Sequence, residues 1–199
     1  MSQLRKLPAS LISAERRSVE LRRLLGRAPR DPLLAADVAR HYNVTVRNPD
    51  QIIGVPSADI EQLLGAGREE WSGFTLRIGT RHLVVMNSAQ SARRQNSVVM
   101  HELSHIILGH QLGSAMFTEI GDFVPSIYDQ DQEYEAAWLG GTLLLPRPAL
   151  IWMRYRGLSD EDASTHFSVS PDLLRWRIRM TGIDYQLSLG GRKSARARG

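Results

Sequence analysis

The pentapeptide His101-Glu102-Leu103-Ser104-His105 constrains the fold and chemistry of this chain more than any other feature. Apolar triplets flank it, Val98-Val99-Met100 before and Ile106-Ile107-Leu108 after, which predicts a helix from about residue 92 to 109. Residues four apart stack on one helix face, so the two imidazoles are expected about one turn apart. Two such imidazoles can bind one zinc ion, and Glu102 beside them can take a proton from an attacking water molecule.

A structural explanation of the two histidines competes with the metal site. A motif with three fixed residues also occurs by chance, and a single histidine on an apolar face is commonly a hydrogen-bonded core residue. Two buried imidazoles without partners would cost about 1–3 kcal/mol each. His101 and His105, one turn apart with Glu102 between them, are therefore better explained as metal ligands plus a base.

Composition indicates a compact globular protein. The 199 residues include 42% hydrophobic and 23% charged residues, which are ordinary globular values. The chain has no cysteine, which excludes disulfides, thiolate metal sites and a cysteine nucleophile. No apolar run is long enough to cross a bilayer. The apolar stretch 7–12 is too short for a signal peptide and Glu15 soon follows, so a cytoplasmic protein without membrane contact is expected.

Charge is distributed unevenly along the chain. Residues 1–30 contain eight basic and two acidic residues, a net charge of +6, and residues 191–199 carry four basic residues and no acidic one. The stretch between them, 31–190, has thirteen basic and nineteen acidic residues, a net charge of −6. Basic ends predict either contact with nucleic acid or simple solubilisation of terminal segments, and the acidic body favours a basic partner.

An acidic stretch follows the motif helix. Residues 110–131 contain four carboxylates and no Arg or Lys, namely Glu119, Asp122, Asp129 and Asp131. If they border a catalytic site, they are expected to favour a positively charged substrate segment and to act mainly on the encounter rate. The alternative is an acidic surface loop with no role in recognition.

Periodicity and turn residues predict a mainly helical α+β fold with a small antiparallel sheet. The clearest strands are 74–78 and 82–86, joined in a hairpin by Gly79-Thr80-Arg81, and 44–47 is a further short strand. Helices are predicted at about 11–26, 31–42, 59–64, 92–109, 132–145, 147–156, 159–167 and 170–182. The expected organisation is a basic N-terminal helical segment (1–30), a metallopeptidase-like domain (31–150), a helix-turn-helix-like pair (151–185) and a basic tail (186–199).

A catalytic zinc site needs a third protein ligand, and the helix after the acidic stretch offers two carboxylates. Glu133 and Glu135 are two residues apart and so lie on different helix faces, which means that only one can point at the motif helix. The residue types alone leave both open.

The order of several short motifs resembles the ImmA/IrrE family of metallo-endopeptidases. Members typically read V-N, then an arginine, then H-E-L-G-H, then E-A-N-x-F-A-A-x-L-L-M-P. This chain has Met86-Asn87, Arg94, the pentapeptide at 101–105, and Glu135-Ala-Ala-Trp-Leu-Gly-Gly-Thr-Leu-Leu-Leu-Pro146 without a gap. The likeness covers roughly residues 31–182 and departs from the pattern at positions such as Ser104, which replaces the usual glycine.

The resemblance implies a zincin-like fold and a ligand set of His101, His105 and Glu135, with Glu102 as the catalytic base. It implies zinc as the metal, and this mixed set of nitrogen and oxygen ligands also suits Mn2+ or Fe2+. It further implies a helix-turn-helix repressor as substrate, in phage, mobile-element or stress control.

An active peptidase also needs a group that stabilises the oxyanion of the transition state. Tyr128, Tyr134 and His110 are the candidates near the motif, and the sequence does not choose among them.

The C-terminal residues have the rhythm of a helix-turn-helix, with Ser170 opening its second helix. Arg175 and Arg179 share a face of that helix, whereas Asp172 would meet a phosphate unfavourably. The pair is expected to be structural or partner-binding, with DNA contact as the alternative.

Two functions of different classes are therefore weighed. The first is a zinc-dependent endopeptidase that cuts a regulatory protein, and the second is a non-catalytic, metal-containing regulator that binds DNA or a partner protein. Glu102 favours the enzyme, because a structural zinc fills its four positions with protein ligands and needs no adjacent base.

Overall fold

A computed structural model describes residues 9–110, 116–117, 123–124 and 129–188. The α-helices of these residues are α1 (Ala9–Leu24), α2 (Ala35–His41), α3 (Ser57–Leu64), α4 (Ala92–Leu108), α5 (Gln130–Leu144), α6 (Arg147–Tyr155), α7 (Asp160–Phe167) and α8 (Pro171–Thr181). The strands are β1 (Thr45–Arg47), β2 (Gly73–Ile78), β3 (Arg81–Met86), β4 (Met116–Phe117) and β5 (Phe123–Val124). Helices dominate and the sheets are small, which confirms the predicted α+β class.

The larger sheet has the strand order β1-β3-β2 and is built around the predicted hairpin. β2 and β3 pair antiparallel with Thr75 opposite Val84, and Gly79 in the connecting turn has a left-handed φ of 62°. β1 pairs parallel to β3, with Val46 beside Val84. The sheet is thus mixed: its hairpin is antiparallel as predicted, whereas β1 pairs parallel, so the prediction of an antiparallel sheet was wrong for this strand. α3 and β2 lie between β1 and β3 in sequence, and a connection of this length permits parallel pairing.

α2 begins later than its sequence suggested. Asp31-Pro32 has the form of a helix start, yet the Asp31 carboxylate accepts a hydrogen bond from the backbone N–H of Ala28 at 2.7 Å. The helix instead starts at Ala35, whose N–H donates to Asn96 Oδ1 of α4 at 2.7 Å. The cap of α2 is therefore supplied by a side chain that is distant in sequence.

One hydrophobic core joins the helices to the inner face of the sheet. Buried aliphatic or aromatic side chains of α1, α2, α4, α5, α6, α7, α8 and β3 form it. The largest buried apolar side chains are Leu33, Met100, Leu103, Leu139, Leu143, Leu144, Leu145, Leu150, Met153 and Phe167.

A pair of glycines brings α4 and α8 close to α5. A Cβ added to Gly140 would lie 3.1 Å from Ser104 Oγ and 3.2 Å from the Met100 carbonyl oxygen of α4. A Cβ added to Gly141 would lie 2.8 Å from the Trp176 ring of α8. The lack of side chains at these two positions therefore lets α4 and α8 pack against α5 at short range.

Prolines leave the end of α5 short of backbone donors. Pro146 and Pro148 follow Thr142 and Leu144 by four residues, and neither proline has an N–H for the preceding turn. Ser18 of α1 compensates at the first of these positions, because its hydroxyl donates to the Thr142 carbonyl at 2.9 Å.

The buried guanidinium of Arg22 supplies hydrogen-bond donors to the remaining carbonyls at the C-terminal end of α5. Its nitrogens donate to the carbonyls of Leu143 and Leu144 at distances of 2.9 to 3.2 Å. They also donate to the carbonyls of Ala28 and Asp31, at 3.1 and 2.9 Å. Burial lowers the pKa of Arg22 to about 10, so the side chain stays charged at neutral pH. α1 is in this way bound to the helix that carries Glu133 and Glu135.

The helix-turn-helix-like pair, α7 and α8, turns one arginine inward. Arg177 is fully buried and donates to the Leu145 carbonyl at 3.0 and 3.2 Å and to Glu15 at 2.8 Å. Its guanidinium also lies 5.2 Å from the centre of the Trp138 ring. α8 is thereby anchored on α1 and α5.

No helix among the described residues has the length and apolar character that crossing a membrane requires.

Candidate metal centre

α4 carries the two imidazoles and is capped at both of its ends. Ser91 caps its start by accepting a hydrogen bond from the backbone N–H of Arg94, and Gly109 follows its end in the left-handed conformation with φ 70°. His101 and His105 lie one turn apart, and their Nε2 atoms are 3.1 Å from one another. The predicted convergence of the two rings is therefore present in the structure.

A carboxylate of α5 completes a three-residue cluster. Glu133 Oε2 lies 3.1 Å from His101 Nε2, and Glu133 Oε1 lies 3.3 Å from His105 Nε2. One ligand atom from each residue can be chosen so that all lie within 4.8 Å of one another. Two imidazole nitrogens and one carboxylate oxygen form the donor set of many catalytic zinc sites, so these residues fit a divalent metal ion.

Glu135, implied as the third ligand by the resemblance, is placed elsewhere. Its Oε2 atom lies 3.4 Å from His110 Nε2, and its side chain is half exposed. Asp129 caps the start of α5 by accepting hydrogen bonds from the backbone N–H groups of Asp131 and Gln132, so Glu133 and Glu135 both lie in the first two turns of that helix. The structure thus brings Glu133 to the imidazoles, and Glu135 faces away from them.

The sequence contains a pattern of small residues that favours Glu133 as the third ligand, but its meaning depends on knowing which helix packs against α5. Ala137 and Gly140 are four and seven residues after Glu133, so the three share one face of α5. Small residues mark the face on which a second helix approaches closely. Because Gly140 meets α4 beside His101, the same face carries Glu133 to the metal cluster.

Glu102 is positioned by the sheet. Thr75 of β2 donates a hydrogen bond from its hydroxyl to Glu102 Oε2 at 2.7 Å. Burial raises the pKa of Glu102, while the Thr75 hydrogen bond and the nearby His101 oppose that rise. A carboxylate with a raised pKa is a better proton acceptor for water than an exposed one, which suits a general base.

The charges of the ligand residues also suit a cation. Burial, together with the neighbouring His101, lowers the pKa of His105 to about 4, so His105 is neutral near pH 7 and its lone pair is free for a metal. The hydrogen bond from His101 lowers the pKa of the Glu133 carboxyl, which keeps that group ionised, and a metal ion would displace the proton of this bond from His101 Nε2. Both ligands therefore hold the protonation state that metal binding requires.

An open cleft of about 480 Å³ adjoins the cluster and is bordered by both His101 and Glu102. β2, α4, α5 and α8 supply its walls. Its apolar side includes Val98, Leu173 and Trp176. His101 of the cluster and Glu102 therefore face the same open cleft.

Of the three residues predicted as possible oxyanion stabilisers, the structure describes Tyr134 and His110. Tyr134 is half exposed and borders a smaller pocket beside α1, where its ring stacks on Trp138. His110 contacts His105 through its Nδ1 atom, at 3.0 Å from His105 Nδ1. Tyr128 lies outside the described residues.

Of the four acids expected near the site, two are described. Asp129 is the cap of α5, and Asp131 is exposed in its first turn. Glu119 and Asp122 lie outside the described residues, so the proposed acidic border stays a prediction.

Comparison with known proteins identifies the family. A family model described as the IrrE N-terminal-like domain, Peptidase M78, matches residues 51–179. No curated protein and no solved structure matches the chain significantly. The matched region is well over half of the chain and contains the sheet hairpin, α4 and α5 with all residues of the cluster. The chain therefore belongs to the IrrE-like Peptidase M78 family of metallopeptidases, as its resemblance to ImmA/IrrE proteins indicated.

Proposed function

We propose that this protein is a zinc-dependent endopeptidase. The observation that carries the proposal is the convergence of His101, His105 and Glu133 next to an open cleft whose lining includes His101 and Glu102. A structural zinc site would need neither the cleft nor a base with a raised pKa beside the ligands.

His101 and His105 would hold the ion through Nε2 and Glu133 through a carboxylate oxygen. When bound, the metal supplies Lewis-acid polarisation of the scissile carbonyl and of the attacking water. Glu102 accepts a proton from that water as its oxygen bonds to the carbonyl carbon. The same carboxyl then delivers the proton to the departing amide nitrogen as the carbon–nitrogen bond breaks. Thr75 keeps Glu102 oriented towards the cleft through both transfers.

The proposed substrate is a regulatory protein, and the family resemblance favours a helix-turn-helix repressor. The acidic body of the chain supports a basic partner of this kind. The proposed setting is phage, mobile-element or stress control inside the cytoplasm.

The alternative function, a non-catalytic regulator that contacts DNA through α8, has weaker support. Asp172 and Leu173, which open α8, border the cleft with Trp176 from the next turn. Arg177 is buried, and Arg175 forms an ion pair with Asp172. We therefore propose that α8 serves the substrate cleft.

Paired substitutions on α5 test the ligand set. Purified wild type and Glu135→Ala are expected to contain about one zinc ion per chain at saturating metal, whereas Glu133→Ala loses it. The two variants remove the same group two residues apart on one helix, so each controls for the other. Metal loss in Glu135→Ala with retention in Glu133→Ala would reverse our ligand assignment.

A third variant separates metal binding from catalysis. Glu102→Gln is expected to keep fold and metal but to cleave a substrate repressor about 10²–10⁴-fold more slowly, since it cannot accept the proton of water. A panel of helix-turn-helix repressors incubated with wild type identifies that substrate. Equal cleavage by wild type and Glu102→Gln would contradict the mechanism.

A further inference from the structure

A buried histidine lies directly behind the candidate metal centre. The His110 side chain is only 7% exposed, and its Nδ1 atom lies 3.0 Å from Nδ1 of His105. Its Nε2 atom lies 3.4 Å from Oε2 of Glu135, which is half exposed at the surface. These contacts form a line from solvent through Glu135 and His110 to the back of the His105 ring, opposite the edge that faces Glu133.

The end of α4 places His110 there. The backbone N–H of His110 donates to the His105 carbonyl at 3.0 Å, and that of Gly109 donates to the Ile106 carbonyl at 3.1 Å. With Gly109 at a φ of 70°, this pair of bonds is a Schellman motif. Such a motif turns the second residue after the helix back onto the last turn, where an apolar contact is usual. Here the contact joins two imidazoles.

Proton positions along this line follow from the two distances. Binding a metal through Nε2 requires that His105 carry its proton on Nδ1. That N–H then donates to Nδ1 of His110, which must be unprotonated. The proton of a neutral His110 is consequently on Nε2, where it points at the Glu135 carboxylate.

The opposite assignment fits poorly. If His110 donated from Nδ1, the proton of His105 would sit on Nε2 and block metal binding. The unprotonated Nε2 of His110 would then face the acceptor oxygen of Glu135 with no hydrogen between them. Only the first assignment satisfies both contacts and leaves the metal-facing nitrogen free.

We propose that His110 and Glu135 are positioning residues that hold the His105 imidazole in the tautomer and orientation of a metal ligand. The inference rests on the proposed function in that His105 binds a metal ion. It also gives Glu135 a role distinct from that of Glu133, which lies on the ligand side of the same ring.

Substitutions of His110 with matched controls test the proposal. His110→Leu removes the acceptor, whereas His110→Asn keeps an oxygen close to the position of Nδ1. His41→Leu changes an exposed histidine on α2 by the same substitution. Zinc affinity is measured by competition with a chromophoric chelator, and circular dichroism and urea midpoints verify that each variant is folded.

The expected result is a zinc Kd about 10–100-fold higher in His110→Leu, with most of the loss recovered in His110→Asn and none in His41→Leu. Glu135→Gln is expected to weaken binding by less than His110→Leu, because an amide oxygen still accepts from His110. If zinc affinity is the same in wild type, His110→Leu and His41→Leu, the proposal is overturned.

A spectroscopic measurement follows the proton directly. In zinc-loaded protein labelled with 15N-histidine, we expect His105 to carry its proton on Nδ1, with a downfield N–H resonance that His110→Leu abolishes. A proton on Nε2 of His105, or a metal-bound nitrogen on His110, would overturn the proposal. Failure of wild type to bind zinc would overturn the proposed function as well, whereas normal binding with an unaffected His110→Leu variant overturns the positioning role alone.

Discussion

Replacing Arg22 with methionine tests how much the hydrogen bonds of α1 to the end of α5 stabilise the fold. Arg22 lies outside residues 51–179, the part of the chain that the family model matches. Its guanidinium nevertheless binds the end of α5, the helix that carries Glu133. Methionine keeps much of the volume and the apolar stem but removes every donor, so the change isolates the hydrogen bonds.

The magnitude follows from the carbonyls that lose their donor. The Leu144 carbonyl has no helical partner because Pro148 lacks an N–H, and the N–H of Arg147 donates to Glu15 and is not available to Leu143. Each buried carbonyl without a partner costs about 1–3 kcal/mol, so the two buried ones give about 2–6 kcal/mol; the Ala28 and Asp31 carbonyls are only partly buried and are not counted. Arg22→Met also removes the cost of burying a charge, which offsets part of this loss. We therefore expect Arg22→Met to lower the free energy of unfolding by an amount in the lower half of that range, about 2–4 kcal/mol, a large share of the roughly 5–15 kcal/mol of a typical domain.

Urea unfolding followed by circular dichroism and tryptophan fluorescence measures this loss. The neighbouring Arg23 is exposed on the same helix, so Arg23→Met is the matched control and should change stability by less than about 0.5 kcal/mol. A loss below about 1 kcal/mol in Arg22→Met would mean that water satisfies the carbonyls and would refute the stabilising role of these hydrogen bonds.

Two further predictions concern the site itself. Gly140→Val should separate α5 from α4, because even a Cβ there would lie 3.1 Å from Ser104 Oγ, and we expect about 1–3 kcal/mol lower stability by urea unfolding together with weaker zinc binding. Unchanged zinc affinity would show that the two helices can part without moving the ligands. Thr75→Val removes the hydrogen bond that opposes the raised pKa of Glu102, so that pKa should rise further. The acidic limb of the pH–rate profile with a cleavable repressor should then move to higher pH, and a limb that stays in place would count against Glu102 as the base.

Local sequence was sufficient for the motif helix and its chemistry. The apolar runs around His101 and His105 predict a helix from about residue 92 to 109, and α4 spans Ala92–Leu108. The fixed spacing of four residues then places both imidazoles on one face, since helix geometry leaves no other arrangement. The β2–β3 hairpin was equally readable, because strand alternation and the Gly79 turn are short-range signals.

Contacts between distant parts of the chain decided the rest. The third carboxylate depends on how α5 is rotated against α4, and neither Glu133 nor Glu135 carries that information locally. The parallel pairing of β1 and the capping of α2 by Asn96 also join segments far apart in sequence.

Arg22 is the clearest case of a residue whose burial the local sequence does not predict. In sequence it is one of eight basic residues in a segment that reads as an amphipathic surface helix. In the fold it is almost completely buried, because two prolines elsewhere leave the end of α5 without donors. Periodicity reports which residues share a face, but only the packed structure determines which face meets which partner, since the free energy of that choice comes from contacts between distant residues.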